Sequence, residues 1–290
     1  MTPSTLYQSL PAYLNAALIA EQVKAALIED VGNGDLTAAL IPAGTHASAT
    51  IISREEAVIC GCAWVQQCFE QLNQDITLTW HVKDGDRVQP NQPLVVIDGD
   101  ARAMLTAERP ALNFLQTLSA VATHTRQYVD AIAGLPTQIL DTRKTLPGLR
   151  LAQKYAVLIG GGANQRLALY DGILIKENHI AAAGSIANVL QAAFALQQTN
   201  NIQIEVETLD ELQQALDAGA KSILLDNFTL DDLRQAVAIN QKRALLEASG
   251  NVDLTTVRAI AETGIDRISI GGLTKHIQAI DLSMRIQMSL

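Results

Sequence analysis

The chain predicts an α/β fold in two parts that meet near residue 120. Three observations carry this. Beyond residue 120, short apolar runs alternate with segments of helical spacing, the pattern of a parallel sheet with helical crossovers. Before it, helix and strand are mixed, and Gly, Pro and Asn mark the turns. Finally, 290 residues at 48% hydrophobic and 18% charged content have the length and balance for a sizeable core and one or two domains.

In the first part, apolar residues at Leu18, Ile19, Val23, Ala26 and Leu27 recur at helical spacing and predict a helix over about 15–29. D-V-G-N-G-D follows as a turn-rich loop. Residues 47–60 and 76–98 predict strands. Residues from about 103 to 133 predict one nearly continuous helix. In the second part, strands are expected at 138–141, 173–176, 202–206, 222–226, 244–247 and 267–270. Six such units fall short of the eight of a complete barrel, leaving an incomplete barrel or an open sheet.

Composition excludes several classes. The formal net charge is −9, and no broad basic stripe suits a nucleic acid. Charges interrupt every apolar run before about 18 residues, so no membrane-spanning helix is expected. The first residues lack the basic start and apolar run of a signal peptide. Cys60, Cys62 and Cys68 form an odd set with no His nearby, which argues for structural thiols rather than disulfides or zinc. The expectation is a reduced, cytoplasmic, soluble protein.

Against the acidic whole, residues 141–179 form a cationic island. Arg143, Lys144, Arg150, Lys154, Arg166 and Lys176 face only Asp141, Asp171 and Glu177, a local formal charge of +3. Such an island suits a small polyanion. Each predicted strand also runs out into polar or Gly-rich residues, and in barrel folds that face carries the site. Arg143, Arg166 and Lys176 suit carboxylates or phosphates. Glu205 and Asp226, on neighbouring strands, suit a magnesium ion or the diol of a ribose. Ser249, Gly250, Asn251, Gly271 and Gly272 offer unhindered backbone N–H groups before helices, a phosphate cradle. G-G-G at 160–162 is expected to stop a helix. Two anion-binding regions and a carboxylate pair describe a phosphorylated sugar meeting an acidic partner.

The sequence resembles the quinolinate phosphoribosyltransferase family from about residue 29 to its C terminus. The motifs are E-R-P-A-L-N at 108–113, T-R-K-T-L-P-G-L-R at 142–150, K-Y-A-V at 154–157, G-G-G-A-N at 160–164, L-I-K-E-N-H at 174–179, L-L-D-N-F at 224–228 and I-G-G-L-T at 270–274. The resemblance implies an N-terminal α/β sandwich domain and an incomplete α/β barrel of about seven strands. The division expected is 1–119 and 120–275, with a C-terminal helix at about 276–290 packing back on the first domain. It also implies a homodimer whose sites are completed by the partner's N-terminal domain, with Arg109 reaching the neighbouring site. Arg143, Lys144, Arg166 and Lys176 would clamp the carboxylates of quinolinate and the pyrophosphate of phosphoribosyl pyrophosphate, beside Thr142. Glu205 and Asp226 would hold the ribose hydroxyls and Mg2+. Ser249, Gly250 and Asn251, with Ile270, Gly271 and Gly272, would hold the 5-phosphate. Catalysis would rest on Lys144, Lys176, Glu205 and Asp226. The activity implied is a decarboxylating phosphoribosyl transfer to nicotinate mononucleotide in de novo NAD biosynthesis. A nicotinate-specific relative, an inactive metabolite-binding relative and an aldolase-like barrel are the other classes compatible with parts of the pattern. One departure stands out: the family usually has N-H-R where this chain has Asn164-Gln165-Arg166, and the missing His lines the quinolinate pocket. A smaller one is T-K-H at 274–276, where many relatives have T-H-S.

Overall fold

The computed structural model describes residues 6–7, 10–196 and 201–288. It divides into two compact units. The first draws on Met1–His124, Leu146–Gly160 and His276–Leu290, and the second on Thr125–Thr145 and Gly161–Lys275.

In the first unit the chain enters through helix Ala16–Val31. Asn15 caps it by accepting the Leu18 N–H at 3.0 Å. Ile19, Val23 and Leu27 form its buried stripe. The strands follow as β1 (His46–Ser53), β2 (Ala57–Val58), β3 (Thr77–Trp80), β4 (Arg87–Val88) and β5 (Pro93–Asp100). β1 lies between β5 and a C-terminal strand, Leu282–Met288, and β3 closes the other edge, all antiparallel. Ala47, Ala49 and Ile51 alternate inward on β1, and Ala49 opposes Ile97 on one side and Ile286 on the other. Helix Cys62–Leu72, absent from the expected elements, buries Trp64 and Phe69. Helix Ala101–Ala131, which the unit holds as far as His124, adds Met104, Leu112, Leu115 and Leu118 to the same core.

Two expectations need correction here. The C-terminal segment is a strand, not a helix; Leu282, Met284 and Ile286 alternate with Ser283, Arg285 and Gln287, and that period of two fits the open edge of β1. The last two residues of the expected helix lie outside the described residues. The segment Leu146–Gly160 joins the first unit, although the expected boundary placed it in the barrel. Its helix Arg150–Ile159 sets Tyr155 against Trp64, ring centroids 5.9 Å apart, and the Tyr155 hydroxyl donates to Asp84 at 2.8 Å. Gly160 ends this helix as its C-cap, as expected.

The second unit is a parallel sheet of β6 (Gln138–Leu140), β7 (Ile173–Ile175), β8 (Ile202–Val206), β9 (Ser222–Asp226), β10 (Leu245–Ser249) and β11 (Arg267–Ser269). Their order is β6-β11-β10-β9-β8-β7. A seventh position is reduced to one parallel bridge, Ala163 to Leu140, beyond β6. Gln165, next to that bridge, donates through its side chain to Gln203 of β8 at 2.7 Å. Groups near opposite ends of the sheet therefore touch, so the sheet is curled into a barrel that lacks full closure. Helices Ile186–Ala195, Leu209–Asp217 and Leu230–Asn240 intervene between strands, each with a side-chain N-cap: Ser185, Thr208 and Thr229. Among the described residues, no helix is long and apolar enough to cross a membrane.

Candidate active site

All six strands of the second unit send residues to one cavity of about 180 Å³ at their C-terminal ends. The first supplies Thr142, Arg143 and Lys144, just past β6; Gln165 and Arg166 follow the Ala163 bridge; Lys176, Glu205, Glu247, Ser249 and Ser269 complete the polar lining. Leu174 and Leu224 supply apolar wall. Larger hollows of 630 and 400 Å³ occur in the first unit, but neither gathers cations, so size alone does not identify the site.

The electrostatics favour an anion. The Arg143 Nε is buried without a hydrogen-bond partner. Burial first, and the Arg143 cation second, hold the Arg166 guanidinium below its ordinary pKa. Two close guanidiniums with a spare buried donor are costly unless a ligand supplies acceptors. Arg166 is itself oriented by donating to the Gly172 carbonyl at 3.0 Å.

Lys176 and Glu205 form an ion pair, with Glu205 the more buried partner. Lys176 also caps helix Glu177–Ala183, its N–H donating to His179 Nδ1 at 3.0 Å. Asp226 lies two residues after Leu224, on the same face of β9 and one step further out, and accepts from the Asn227 side chain at 2.8 Å. It does not line the cavity itself. A magnesium ion held by one or two carboxylates plus substrate phosphates fits this pair. Among the described residues, no cluster of three or more His, Cys, Asp or Glu offers a complete protein cage.

At Gly250 a glycine is sterically required. Gly250 has φ +103, and a Cβ there would come within 2.1 Å of Asn227 Oδ1. A Cβ on Gly271 would meet Lys144 Cδ at 2.9 Å, so this glycine lets the Lys144 stem lie across the turn. One expectation is modified. Gly271 and Gly272 do lead into a short helix, Gly272–Lys275, but Ser249, Gly250 and Asn251 do not; the next helix begins only at Val257. Ile270 is buried beneath the turn. Arg109 is exposed on helix Ala101–Ala131 in the first unit.

Two members of the cationic island belong to the first unit. Lys154 is wholly buried in the first unit, on helix Arg150–Ile159, where Arg150 also sits. Conversely, Asp141, Gln203, Glu247 and Ser269 were not among the expected site residues. Gln203 and Glu247 precede Glu205 and Ser249 by two on their strands, so the period of two could have placed them on the inner face.

A curled parallel sheet with guanidiniums, a Lys–Glu pair and glycine turns at one mouth defines an α/β-barrel enzyme for anionic substrates. Comparison with known proteins narrows the class. Residues 35–119 match the model of the quinolinate phosphoribosyl transferase N-terminal domain, and residues 121–285 that of the C-terminal domain. A carboxylating nicotinate-nucleotide pyrophosphorylase of Mycobacterium leprae (strain TN) is 40% identical over 91% of this chain and 95% of its own length. A decarboxylating mitochondrial quinolinate phosphoribosyltransferase of Nicotiana tabacum is 39% identical over 93% of this chain and 82% of its own. The solved nicotinate-nucleotide pyrophosphorylase of Francisella tularensis superposes with a TM-score of 0.92 at 44% identity, covering 94% of this chain and 98% of the other. The chain belongs to the quinolinate phosphoribosyltransferase family.

Proposed function

We propose that this protein transfers a phosphoribosyl group from phosphoribosyl pyrophosphate to quinolinate and releases carbon dioxide, pyrophosphate and nicotinate mononucleotide, a step of de novo NAD biosynthesis. The observation that carries this reading is the pair of half-buried guanidiniums, Arg143 with a buried, unpartnered Nε and Arg166 beside it, lining one cavity of about 180 Å³. A substrate with two adjacent carboxylates answers both cations; a monoacid answers one.

In this reading Arg143, Arg166 and Lys176 hold the ring acid, with Thr142 and Gln165 as neutral partners. The ring nitrogen attacks C1 of the ribose as pyrophosphate leaves. Glu205 and Asp226 face the positive charge that develops on the sugar and hold its hydroxyls. Lys144, lying over Gly271, neutralises phosphate charge near the turns at Ser249–Asn251 and Ile270–Gly272. Mg2+ would be held by Glu205 and Asp226 together with substrate oxygens, and would supply further charge neutralisation on the leaving group. After transfer the ring nitrogen is quaternary. The 2-carboxylate then leaves as carbon dioxide, its bonding electrons stay on the ring carbon beside that nitrogen, and a proton from water replaces it.

A cytoplasmic location is part of the same reading, with which three free thiols are compatible; burial pushes the Cys68 thiol up to about 12. It is proposed to act as a homodimer, with the exposed Arg109 of one protomer completing the site of the other. Isothermal titration tests the acid pocket. Quinolinate should bind clearly more tightly than nicotinate, and equal affinity for the two acids would remove the argument from paired guanidiniums.

A further inference from the structure

Behind Gln165 runs a chain of polar side chains, Gln203 and Glu247, to which the proposed chemistry assigns no role. The Gln165 side chain donates from Nε2 to Gln203 Oε1 at 2.7 Å, and Gln203 Nε2 donates to Glu247 Oε2 at 2.8 Å. Gln203 is 2% exposed and Glu247 1%. The backbone of Gln165 is fixed separately: its N–H donates to Asp141 Oδ1 at 2.9 Å, while the Asn164 side chain donates to Asp141 Oδ2 at 2.6 Å. One end of the chain is thus a cavity-lining amide, and the other a buried carboxylate on β10.

Stability alone gives no reason for this set. Inward barrel positions are ordinarily filled by branched apolar residues. A carboxylate buried this deeply is a further cost even with Gln203, Ser269 and Arg267 favouring its charged form. Polar groups kept at such a place are expected where they orient a site. Gln165 occupies the place where the resembled family has a titratable His. An amide has a donor end and an acceptor end, so its use to an anion depends on which end faces the cavity.

We propose that Gln203 and Glu247 are positioning residues that fix the side chain of Gln165 at the cavity wall and thereby set affinity for the ring acid. This rests on the quinolinate reading above. The relay acts on the acid pocket alone. The Lys176–Glu205 pair and the Gly250 and Gly271 turns have their own supports.

The test is steady-state kinetics on Gln203→Met, which keeps the length of the side chain but neither donates nor accepts as an amide. The KM for quinolinate should rise about tenfold, the effect of one lost buried hydrogen bond with its partner left in place. The KM for phosphoribosyl pyrophosphate should stay within about twofold, since that subsite does not depend on the relay. Glu247→Gln, which retains an acceptor for Gln203 Nε2, should raise the quinolinate KM less than Gln203→Met does. In a cycle with Gln165→Ala, the effects of Gln165 and Gln203 should not add. Gln203→Asn, which withdraws the amide by one methylene, replaces the methionine variant if that one does not fold. An unchanged quinolinate KM, or equal rises for both substrates, overturns the relay while wild-type turnover preserves the functional reading. Absence of quinolinate turnover in the wild type overturns both.

Discussion

Arg143 shows most directly how a residue in this protein is prepared for a ligand. Its Nε is buried with no protein acceptor, beside a second guanidinium. Truncating it to Ala should weaken quinolinate binding by about 2–5 kcal/mol, roughly 30-fold or more. Little core packing is lost, so the thermal midpoint should hardly move; calorimetry on both properties checks this. Glu247 gives the opposite case, a carboxyl that pays for its position. Burial, the largest cause, raises its pKa, with Gln203, Ser269 and Arg267 pulling the other way. A group whose folded pKa lies above its unfolded value favours folding below the unfolded value and loses that contribution as pH rises through the folded one. Glu247→Gln should therefore gain thermal stability relative to wild type near neutral pH, and the gain should shrink as pH falls through the raised folded pKa and level off below the ordinary carboxyl pKa of 4.5. Melting curves across that range would contradict the account if the gap widened at low pH. That Arg143, Lys176 and Glu205 would meet at one cavity was legible from residue type and strand-end position, while Arg166 was placed by the cationic island and the resemblance. Lys154 misled: a lysine near other cations in sequence can turn away on the buried face of its helix.

Elements were legible where a period ran unbroken. Strands at Ile202–Val206 and Ser222–Asp226 fall where their apolar runs predicted. Helix Ala101–Ala131 follows its long helical pattern straight through Pro110. Helix Cys62–Leu72 went unread; the unbroken burial of Cys62 to Gln66 does not follow a single helical stripe. The C-terminal strand carries a clean alternation, but its seven residues lack the flanking turn signals that usually separate strand from helix. Caps were clearer. Thr229 accepts the Asp232 N–H at 3.2 Å, and Asp232 returns a bond to the Thr229 N–H, a reciprocal capping arrangement at helix Leu230–Asn240. Thr229→Ala should cost about 1 kcal/mol in denaturant unfolding. A loss below a few tenths would show that the helix start is held by packing alone.

For the whole molecule, pattern showed two parts, the resemblance gave the kind of barrel, and pattern alone did not choose between an open sheet and a curled one. The choice depends on contacts such as Gln165 to Gln203, made across 38 positions of sequence by the closing of the sheet. No local period encodes them. The proposed assembly has a test of its own. Mixing Arg109→Ala protomers with Lys176→Ala protomers should recover activity after subunit exchange, because one kind of mixed site then has both residues intact. Recovery failing after exchange is verified would place Arg109 outside the site. The central claim, a transfer coupled to decarboxylation, is tested by supplying quinolinate labelled at its 2-carboxylate with phosphoribosyl pyrophosphate and Mg2+. The account predicts labelled carbon dioxide, pyrophosphate and nicotinate mononucleotide in equal amounts. Nucleotide accumulating with the label retained on the ring, or equal turnover with nicotinate, would contradict it.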